Sequence, residues 1–244
     1  MSYSLYTFFG ILPSVIWLMF YLRRDSHPEP KRMVLKIFFY GMLAAVPAVL
    51  LEIGILEEFK SLPAALVQNP NFSPFLLSML NIFVAVALVE EFLKYLVVKG
   101  KISNSSEFDE PLDIMLYMII SALGFAASEN ILILFSLGPT FLLEKTFSIS
   151  VFRFLGATFL HALCSGLLGY FLALSFFETK NRIKLLIAGL GIATLLHGLY
   201  NFSIIEIEGD LAFFIPILIL ISLAIFTVLG FKKLKKLKSV CKIQ

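Results

Sequence analysis

Seven long apolar segments constrain the fold of this 244-residue chain more than any other feature. Each is long enough to cross about 30 Å of hydrocarbon as a helix. The segments lie at about 4–22, 33–56, 72–98, 112–137, 148–178, 183–205 and 211–231. Only 15% of the residues are charged and 59% are hydrophobic, whereas a soluble domain has about 25% charged residues. We therefore expect a single all-α integral membrane domain over residues 1–244, built as a bundle of seven transmembrane helices.

The positions of lysine and arginine predict the orientation of the bundle, because these residues collect in cytoplasmic loops. Sixteen of the 20 lie in the connections after the first, third and fifth segments and after the seventh: Arg23, Arg24, Lys31, Arg32, Lys36, Lys99, Lys101, Lys180, Arg182, Lys184, Lys232, Lys233, Lys235, Lys236, Lys238 and Lys242. The intervening connections hold only Lys60 and Lys145. We expect an N-terminus outside the cell membrane and a cytoplasmic C-terminus, with a basic tail at 232–244 on the anionic inner leaflet. The expected partner of this charge is the lipid bilayer and not a nucleic acid.

Two adjacent carboxylates and a lysine interrupt the third segment. Glu90 and Lys94 are spaced i, i+4 on a helix, and Glu91 and Lys94 are spaced i, i+3, so the lysine can neutralise either acid. A purely structural explanation is an ion pair that stabilises the helix near the cytoplasmic interface. One lysine neutralises only one of the two acids, so this explanation leaves a second carboxylate in lipid, where a charged residue costs roughly 2.5–3.5 kcal/mol near the bilayer centre. We therefore favour a functional site.

The fourth segment adds a carboxylate and an amide, Glu129 and Asn130. Ser121, Gly124 and Ser128 form a small-residue face on the same helix, which allows another helix to approach closely. We expect Glu129 and Asn130 to enter the bundle near that face. A hydrogen-bonded packing element is the alternative explanation for them.

The fifth and sixth segments each carry a histidine within a stripe of residues spaced four apart. The stripes are Ala157, His161, Ser165 and Gly169, and Gly189, Ala193, His197 and Asn201. Residues four apart share one face of a helix, and small residues permit close packing. A lone histidine in a span is often only a hydrogen-bonding group between helices. Four successive segments that each present a proton-active group indicate a common site instead.

These groups suit the hydrolysis of a peptide bond by water. That reaction needs a nucleophile, a proton acceptor and hydrogen-bond donors for the oxyanion. A glutamate held by Lys94 could activate the water, and histidine and asparagine side chains could supply the donors. Glu90 and Glu91 would then form a coupled pair with distinct roles.

A zinc-dependent mechanism is the alternative. Glu129, His161 and His197 together form a His₂Glu set, which is the ligand combination of several catalytic zinc sites. Glu90 or Glu91 would then be the base. No HExxH motif is present, so the ligands would have to converge from separate helices.

Other nucleophiles fit less well. Ser165 and His161 lie one turn apart on one helix, which constrains the geometry of a Ser–His dyad, and no Gly-x-Ser-x-Gly elbow accompanies them. Cys164 would need an activated thiolate in an apolar setting. An aspartyl mechanism lacks residues, because Asp113 is the only aspartate within reach of a segment and it lies at an interface.

In these motifs the sequence resembles the PrsW family of intramembrane proteases, within the wider group of CAAX prenyl endopeptidases and bacteriocin-processing enzymes. The resemblance covers about residues 75–205. The EExxK motif of the family matches Glu90, Glu91 and Lys94. Its FxxxEN motif matches Phe125, Glu129 and Asn130. Its histidine motifs resemble His161 with Ser165, and His197 with Tyr200 and Asn201.

The resemblance implies a role for each group. Glu90 would be the water-activating base, assisted by Glu91 and oriented by Lys94. His197 and Asn201 would stabilise the oxyanion, as the matching pair does in the prenyl endopeptidases. Those enzymes place a histidine where this sequence has Glu129. The substrate implied is a membrane-anchored protein, and for PrsW-type proteins the suggested task is site-1 cleavage of an anti-sigma factor.

Two non-proteolytic hypotheses remain beside this one. Buried glutamates and histidines also form proton relays, so a proton-coupled transporter is the main alternative, although the sequence lacks broken-helix repeats in its two halves. A membrane scaffold with an ion-paired core is the other.

The depth of these groups in the bilayer is a further expectation. Counted from the cytoplasmic ends along straight helices, Glu90 lies about 9 residues in and His161 about 17, so the site residues should differ in depth by roughly 12 Å.

Overall fold

The computed structural model describes residues 3–25, 29–60, 74–102, 110–138 and 143–237. In this part of the chain the regular structure is entirely helical. The α-helices are α1 (Tyr3–Leu22), α2 (Lys31–Lys60), α3 (Pro74–Leu80), α4 (Val89–Ile102), α5 (Pro111–Ser136), α6 (Leu143–Leu155), α7 (Ala157–Phe177), α8 (Arg182–Ile205) and α9 (Leu211–Leu234). A π-helix, Asn81–Leu88, joins α3 to α4, and a 3₁₀ turn, Thr179–Asn181, precedes α8.

Seven stretches within the described residues are long and apolar enough to cross a membrane, as predicted. They are Tyr3–Leu22, Lys31–Phe59, Phe75–Gly100, Pro111–Ser136, Leu143–Phe176, Arg182–Ile205 and Leu211–Leu234. We refer to them as the first to seventh spans. The third consists of α3, the π-helix and α4, and the fifth consists of α6 and α7. The prediction of an all-α multi-pass membrane protein is confirmed.

The fourth span is the central helix of the bundle. Every residue from 111 to 127 is buried, on all sides of the helix. A helix that is apolar all round must be enclosed by other helices or by lipid. Here the first, second, third, fifth and seventh spans pack against it. The core of the molecule therefore lies around this span.

The backbones of the second and fourth spans approach each other closely because each has a glycine against the backbone of the other. A Cβ atom on Gly41 would collide with the carbonyl oxygen of Ser121, and one on Gly124 would collide with that of Phe38. The hydroxyl of Ser128 donates a hydrogen bond to the carbonyl of Met42 at 2.9 Å. The predicted small-residue face therefore packs against the second span.

Two of the spans are irregular, and both carry site residues. In the third, the π-helix ends two residues before Glu90. The fifth span has 34 residues, about 51 Å of straight α-helix, and it is interrupted at Gly156. A Cβ on Gly156 would lie 2.5 Å from the hydroxyl oxygen of Tyr200 and 3.0 Å from the carbonyl of Phe152. Glycine therefore allows the fifth and sixth spans to meet at this break.

Candidate active site

Six polar side chains meet inside the bundle, contributed by the third, fifth and sixth spans. All six are buried: Glu90, Glu91, Lys94, His161, Ser165 and His197. The straight-helix estimate of a 12 Å difference in depth does not hold, because these side chains are in direct contact. The helix of the third span continues past the predicted end at residue 98 to Ile102, so Glu90 lies deeper than the count assumed.

Lys94 is the hub of this cluster. Its ammonium nitrogen lies 3.0 Å from Glu90 Oε2, 2.9 Å from Glu91 Oε1 and 2.7 Å from His161 Nδ1. An ammonium group has three donors, and these three acceptors use all of them. The ring of Phe125 covers the nitrogen, with 4.4 Å from Nζ to the ring centroid. Because Lys94 donates to His161 Nδ1, the ring proton of His161 belongs on Nε2.

Glu91 has fixed partners on both carboxylate oxygens. Its Oε1 accepts hydrogen bonds from Lys94 and from His197 Nδ1, the latter at 3.0 Å. Its Oε2 accepts a hydrogen bond from the hydroxyl of Ser165 at 2.7 Å. Ser165 thus donates to Glu91 and not to His161, so the Ser–His dyad considered from the sequence is not assembled. Glu91 links all three helices of the cluster.

Glu90 is held more loosely than its neighbour. Among the described residues it accepts a hydrogen bond from Lys94 alone. Its Oε2 lies 3.6 Å from His161 Nδ1 and 3.8 Å from His197 Nε2. The two imidazole rings stand edge to face, with centroids 5.0 Å apart. One oxygen of Glu90 therefore faces a ring nitrogen of each histidine.

Glu129 orients His161 from the fourth span. Its Oε2 lies 2.7 Å from His161 Nε2, where it accepts the ring proton, and 3.1 Å from Arg153 Nη2. The contact with Arg153 is an ion pair by distance, without the angles of a hydrogen bond. Arg153 therefore balances the charge of the carboxylate that holds His161.

Asn130 packs beside that pair. Its side-chain oxygen accepts a hydrogen bond from Arg153 Nε, and its amide donates to Thr158 Oγ1 at 3.1 Å and to the carbonyl of Gly10 at 3.2 Å. Asn130 therefore links the fourth span to the first and fifth spans beside Arg153. Arg153 is absent from the site residues predicted from sequence, although a cation inside an apolar segment was a signal that could have identified it.

The other residues considered from the sequence, Asn201, Cys164 and Asp113, are not part of the cluster described above. Asn201 is half-buried one turn beyond His197 and makes no hydrogen bond within the described part of the chain. Cys164 is fully enclosed. Asp113 caps the fourth span, where its Oδ2 accepts a hydrogen bond from the backbone N–H of Glu110 at 2.8 Å.

Glu90, His161 and His197 offer ligand atoms that all lie within 4.8 Å of one another. Each histidine gives its other ring N–H to a carboxylate, Glu129 for His161 and Glu91 for His197. This is the usual arrangement of metal-binding histidines, whose orientation is fixed by an outer carboxylate. The residues therefore fit a His₂Glu metal site, in which ligation by His161 Nδ1 would displace the hydrogen bond that Lys94 donates to that nitrogen.

The set differs in one member from the ligands predicted from sequence. Glu90 occupies the place proposed for Glu129, because Glu129 lies against the far nitrogen of His161 and against Arg153. Spacing along separate helices carries no information on which carboxylate faces which ring nitrogen.

Comparison with known proteins gives one consistent result. A family model described as PrsW family intramembrane metalloprotease matches residues 29–229. The chain is 31% identical over 200 residues to a protein named Protease PrsW from Geobacillus kaustophilus, covering 82% of this chain and 79% of that one. It is 29% identical over 237 residues to Protease PrsW from Bacillus subtilis, covering 96% of each chain. No solved structure matches.

Proposed function

The chain belongs to the PrsW family of intramembrane metalloproteases, and we propose that it hydrolyses peptide bonds of membrane-anchored proteins at Glu90, His161 and His197. One observation carries this assignment of the site. Both buried histidines are oriented by carboxylates, and both direct a ring nitrogen at the same oxygen of Glu90.

The tautomer of His197 favours the metal-dependent mechanism over the metal-free one. Its Nδ1–H is donated to Glu91, so the neutral ring has a lone pair, and no proton, on Nε2. A neutral His197 can therefore act as a ligand, but it cannot donate a hydrogen bond from Nε2 to an oxyanion. In this proposal the amide of Asn201, one turn away, remains as an oxyanion donor.

Zinc is the candidate metal, held by Glu90, His161 and His197. When bound there, zinc would supply Lewis-acid chemistry toward the scissile carbonyl and toward the attacking water. The residues around it have supporting roles. Lys94 holds Glu90 and Glu91 in place, Glu91 and Ser165 fix His197, and Glu129 with Asn130 and Arg153 fixes His161.

In the metal-free alternative, Glu90 would be the water-activating base and not a ligand. Its second oxygen makes no hydrogen bond with the described residues, so it can accept the proton of an attacking water while Lys94 holds the first oxygen. Glu91 is less suited to that step, because both of its oxygens are occupied.

The orientation and substrate complete the proposal. We place the N-terminus outside the cell membrane and the C-terminus in the cytoplasm, since the basic connections favour that orientation. We propose regulated cleavage of a membrane-anchored anti-sigma factor as the physiological reaction, on the basis of the family motifs alone.

The test uses the purified full-length protein in lipid nanodiscs together with single-span membrane proteins, with cleavage followed by mass spectrometry. Glu90→Gln and His197→Ala should each lower the cleavage rate by about 10²–10⁴-fold. Glu208→Gln is the matched control, because Glu208 is an exposed acid in the connection between the sixth and seventh spans. This variant should cleave at the wild-type rate. Retained cleavage in both site variants would remove these residues from catalysis.

Metal analysis separates the two mechanisms. Elemental analysis of active protein should give zinc, and a chelator should abolish cleavage until zinc is added back. If the zinc-free protein kept full activity and Glu90→Gln abolished that activity, the result would establish a metal-free glutamate mechanism instead.

A further inference from the structure

A cavity of about 300 Å³ lies between the first, fifth and seventh spans. Its volume is at the lower end of the range of small-molecule sites. Its wall is mostly apolar. Its lining includes Trp17, Phe159, Leu163, Ala224 and Thr227.

The cavity faces away from the active site. Phe159 and Leu163 each lie two positions from His161, which is about 200° around an α-helix. They therefore occupy the opposite face of the fifth span from His161 and Ser165. Trp17 stacks on Phe159, with ring centroids 4.1 Å apart and planes 9° apart. The body of the fifth span separates the cavity from Glu90.

Three basic residues line one end of the cavity, where the first and seventh spans finish: Arg24, Lys232 and Lys235. Lys235 Nζ donates a hydrogen bond to the backbone carbonyl of Arg24 at 2.5 Å, which ties the two spans together. The Arg24 guanidinium lies 4.8 Å from the ring centroid of Phe20. Arg24 and Lys232 are exposed, so their charges are available at the opening.

Thr227 adds a polar group inside the apolar part. Its hydroxyl has no hydrogen-bond partner among the described residues, although the residue is only 2% exposed. A buried hydroxyl without a partner costs about 1–3 kcal/mol. Thr227 lies five residues before Lys232, or roughly 7.5 Å deeper along the helix. The hydroxyl oxygen is not open to the cavity as it stands, and rotation about χ1 would let it donate to a polar atom of an occupant at that depth.

We propose that this cavity binds one anionic phospholipid. The acyl chain would occupy the apolar part, an ester oxygen would accept the hydrogen bond from Thr227, and the phosphate would lie at Arg24 and Lys232. Basic pockets between transmembrane helices bind anionic headgroups by this combination of charge and apolar contact. A neutral lipid would satisfy the apolar wall but not the basic opening.

Trp17 makes the proposal directly measurable, because it is the chain's one tryptophan and lines the cavity. The full-length protein is reconstituted in phosphatidylcholine nanodiscs containing a small fraction of phosphatidylglycerol or phosphatidylcholine brominated on the acyl chain. We expect Trp17 emission to be quenched saturably by the brominated phosphatidylglycerol and much less by brominated phosphatidylcholine. Unlabelled phosphatidylglycerol should reverse the quenching.

The double variant Arg24→Gln/Lys232→Gln tests the basic opening. Two basic residues at about 1 kcal/mol each correspond to a preference of roughly 30-fold, which the variant should lose. The matched control is Lys180→Gln/Lys184→Gln, which removes two exposed lysines away from the cavity and should keep the preference. Ala224→Leu, which fills the cavity while leaving the opening charged, should also abolish saturable quenching.

Circular dichroism and size-exclusion profiles must match those of the wild type for each variant. Equal quenching by the two brominated lipids would mean ordinary contact with bulk lipid and would overturn the proposal. Reversal by inorganic phosphate would overturn it as well, because the opening would then bind a free anion. If the Lys180→Gln/Lys184→Gln control lost the preference for phosphatidylglycerol, that preference would come from the general surface charge, and the proposal would be overturned.

Discussion

At the scale of single residues, the two adjacent glutamates differ in how firmly they are held. Glu91 accepts hydrogen bonds from Lys94, His197 and Ser165, and Glu90 accepts one from Lys94. A carboxylate with all its positions occupied organises its surroundings. A carboxylate with a vacant oxygen is available for chemistry. Helix geometry alone treats the two acids alike, so this difference became visible only in the structure.

Glu91→Gln should destabilise the protein far more than Glu90→Gln. The amide nitrogen would replace one of the two oxygens that accept hydrogen bonds from Lys94, His197 and Ser165, and disrupting a buried ion pair costs about 3–5 kcal/mol. Glu90→Gln keeps an oxygen for Lys94, and we expect less than half of that loss. The measurement is the free energy of unfolding in mixed detergent micelles. Equal losses would contradict the division of roles between the two acids.

Arg153 should act on the site through Glu129 and His161. Outer groups of this kind typically change metal affinity by about 10–100-fold when they are mutated, and Arg153→Gln should fall near the lower end of that range. Arg153→Lys should recover most of the affinity, because it restores the charge beside Glu129. Zinc competition against a chromogenic chelator gives the affinity, and kcat/KM gives the effect on cleavage. Unchanged zinc affinity in Arg153→Gln would limit this residue to packing.

At the scale of helices, the closest contact is between the second and fourth spans. Gly124→Ala would place a methyl group against the carbonyl of Phe38, and overpacking typically costs about 1–3 kcal/mol. Gly191→Ala is the matched control, since a Cβ there meets nothing within 4 Å. We expect a lower melting temperature in detergent for Gly124→Ala and an unchanged or slightly higher one for Gly191→Ala. Equal melting temperatures would show that the two spans separate easily.

The helices themselves were predictable from the sequence, but their irregularities were not. Segments predicted at 72–98 and 148–178 correspond to spans at Phe75–Gly100 and Leu143–Phe176. Hydropathy averages over many residues, so it reports neither the π-helix before Glu90 nor the break at Gly156. The motifs identified the residues that meet. Which oxygen faces which ring nitrogen depends on helix rotation, and therefore Glu90 was not predicted as the carboxylate facing both histidines.

At the scale of the whole molecule, membership of the PrsW family decides for a peptidase and against a proton-coupled transporter or an inert scaffold. The architecture suits that activity. A buried central helix gives a rigid support, and the polar cluster lies between the third, fifth and sixth spans around it. Rigid support matters because catalytic groups must be held in place before the substrate arrives.

The orientation of the bundle can be tested with reporter fusions. Green fluorescent protein fused after Leu237 should fluoresce, and alkaline phosphatase at the same position should be inactive, because the basic C-terminal end is expected in the cytoplasm. Truncation and fusion after Asp210, between the sixth and seventh spans, should give the opposite result with both reporters. The reverse pattern at both positions would invert the topology.

The position of Lys94, within one turn of both of its acids, also matters while the protein is being made. Glu91 and His197 are 106 residues apart, so at synthesis rates of about 5–20 residues per second the histidine follows roughly 5–20 s later. During that interval the third span carries two carboxylates whose partners on the fifth and sixth spans do not yet exist. Lys94 belongs to the same helix and can bind both acids at once. The nascent span therefore brings its own counter-ion into the bilayer before the enzyme has an active site.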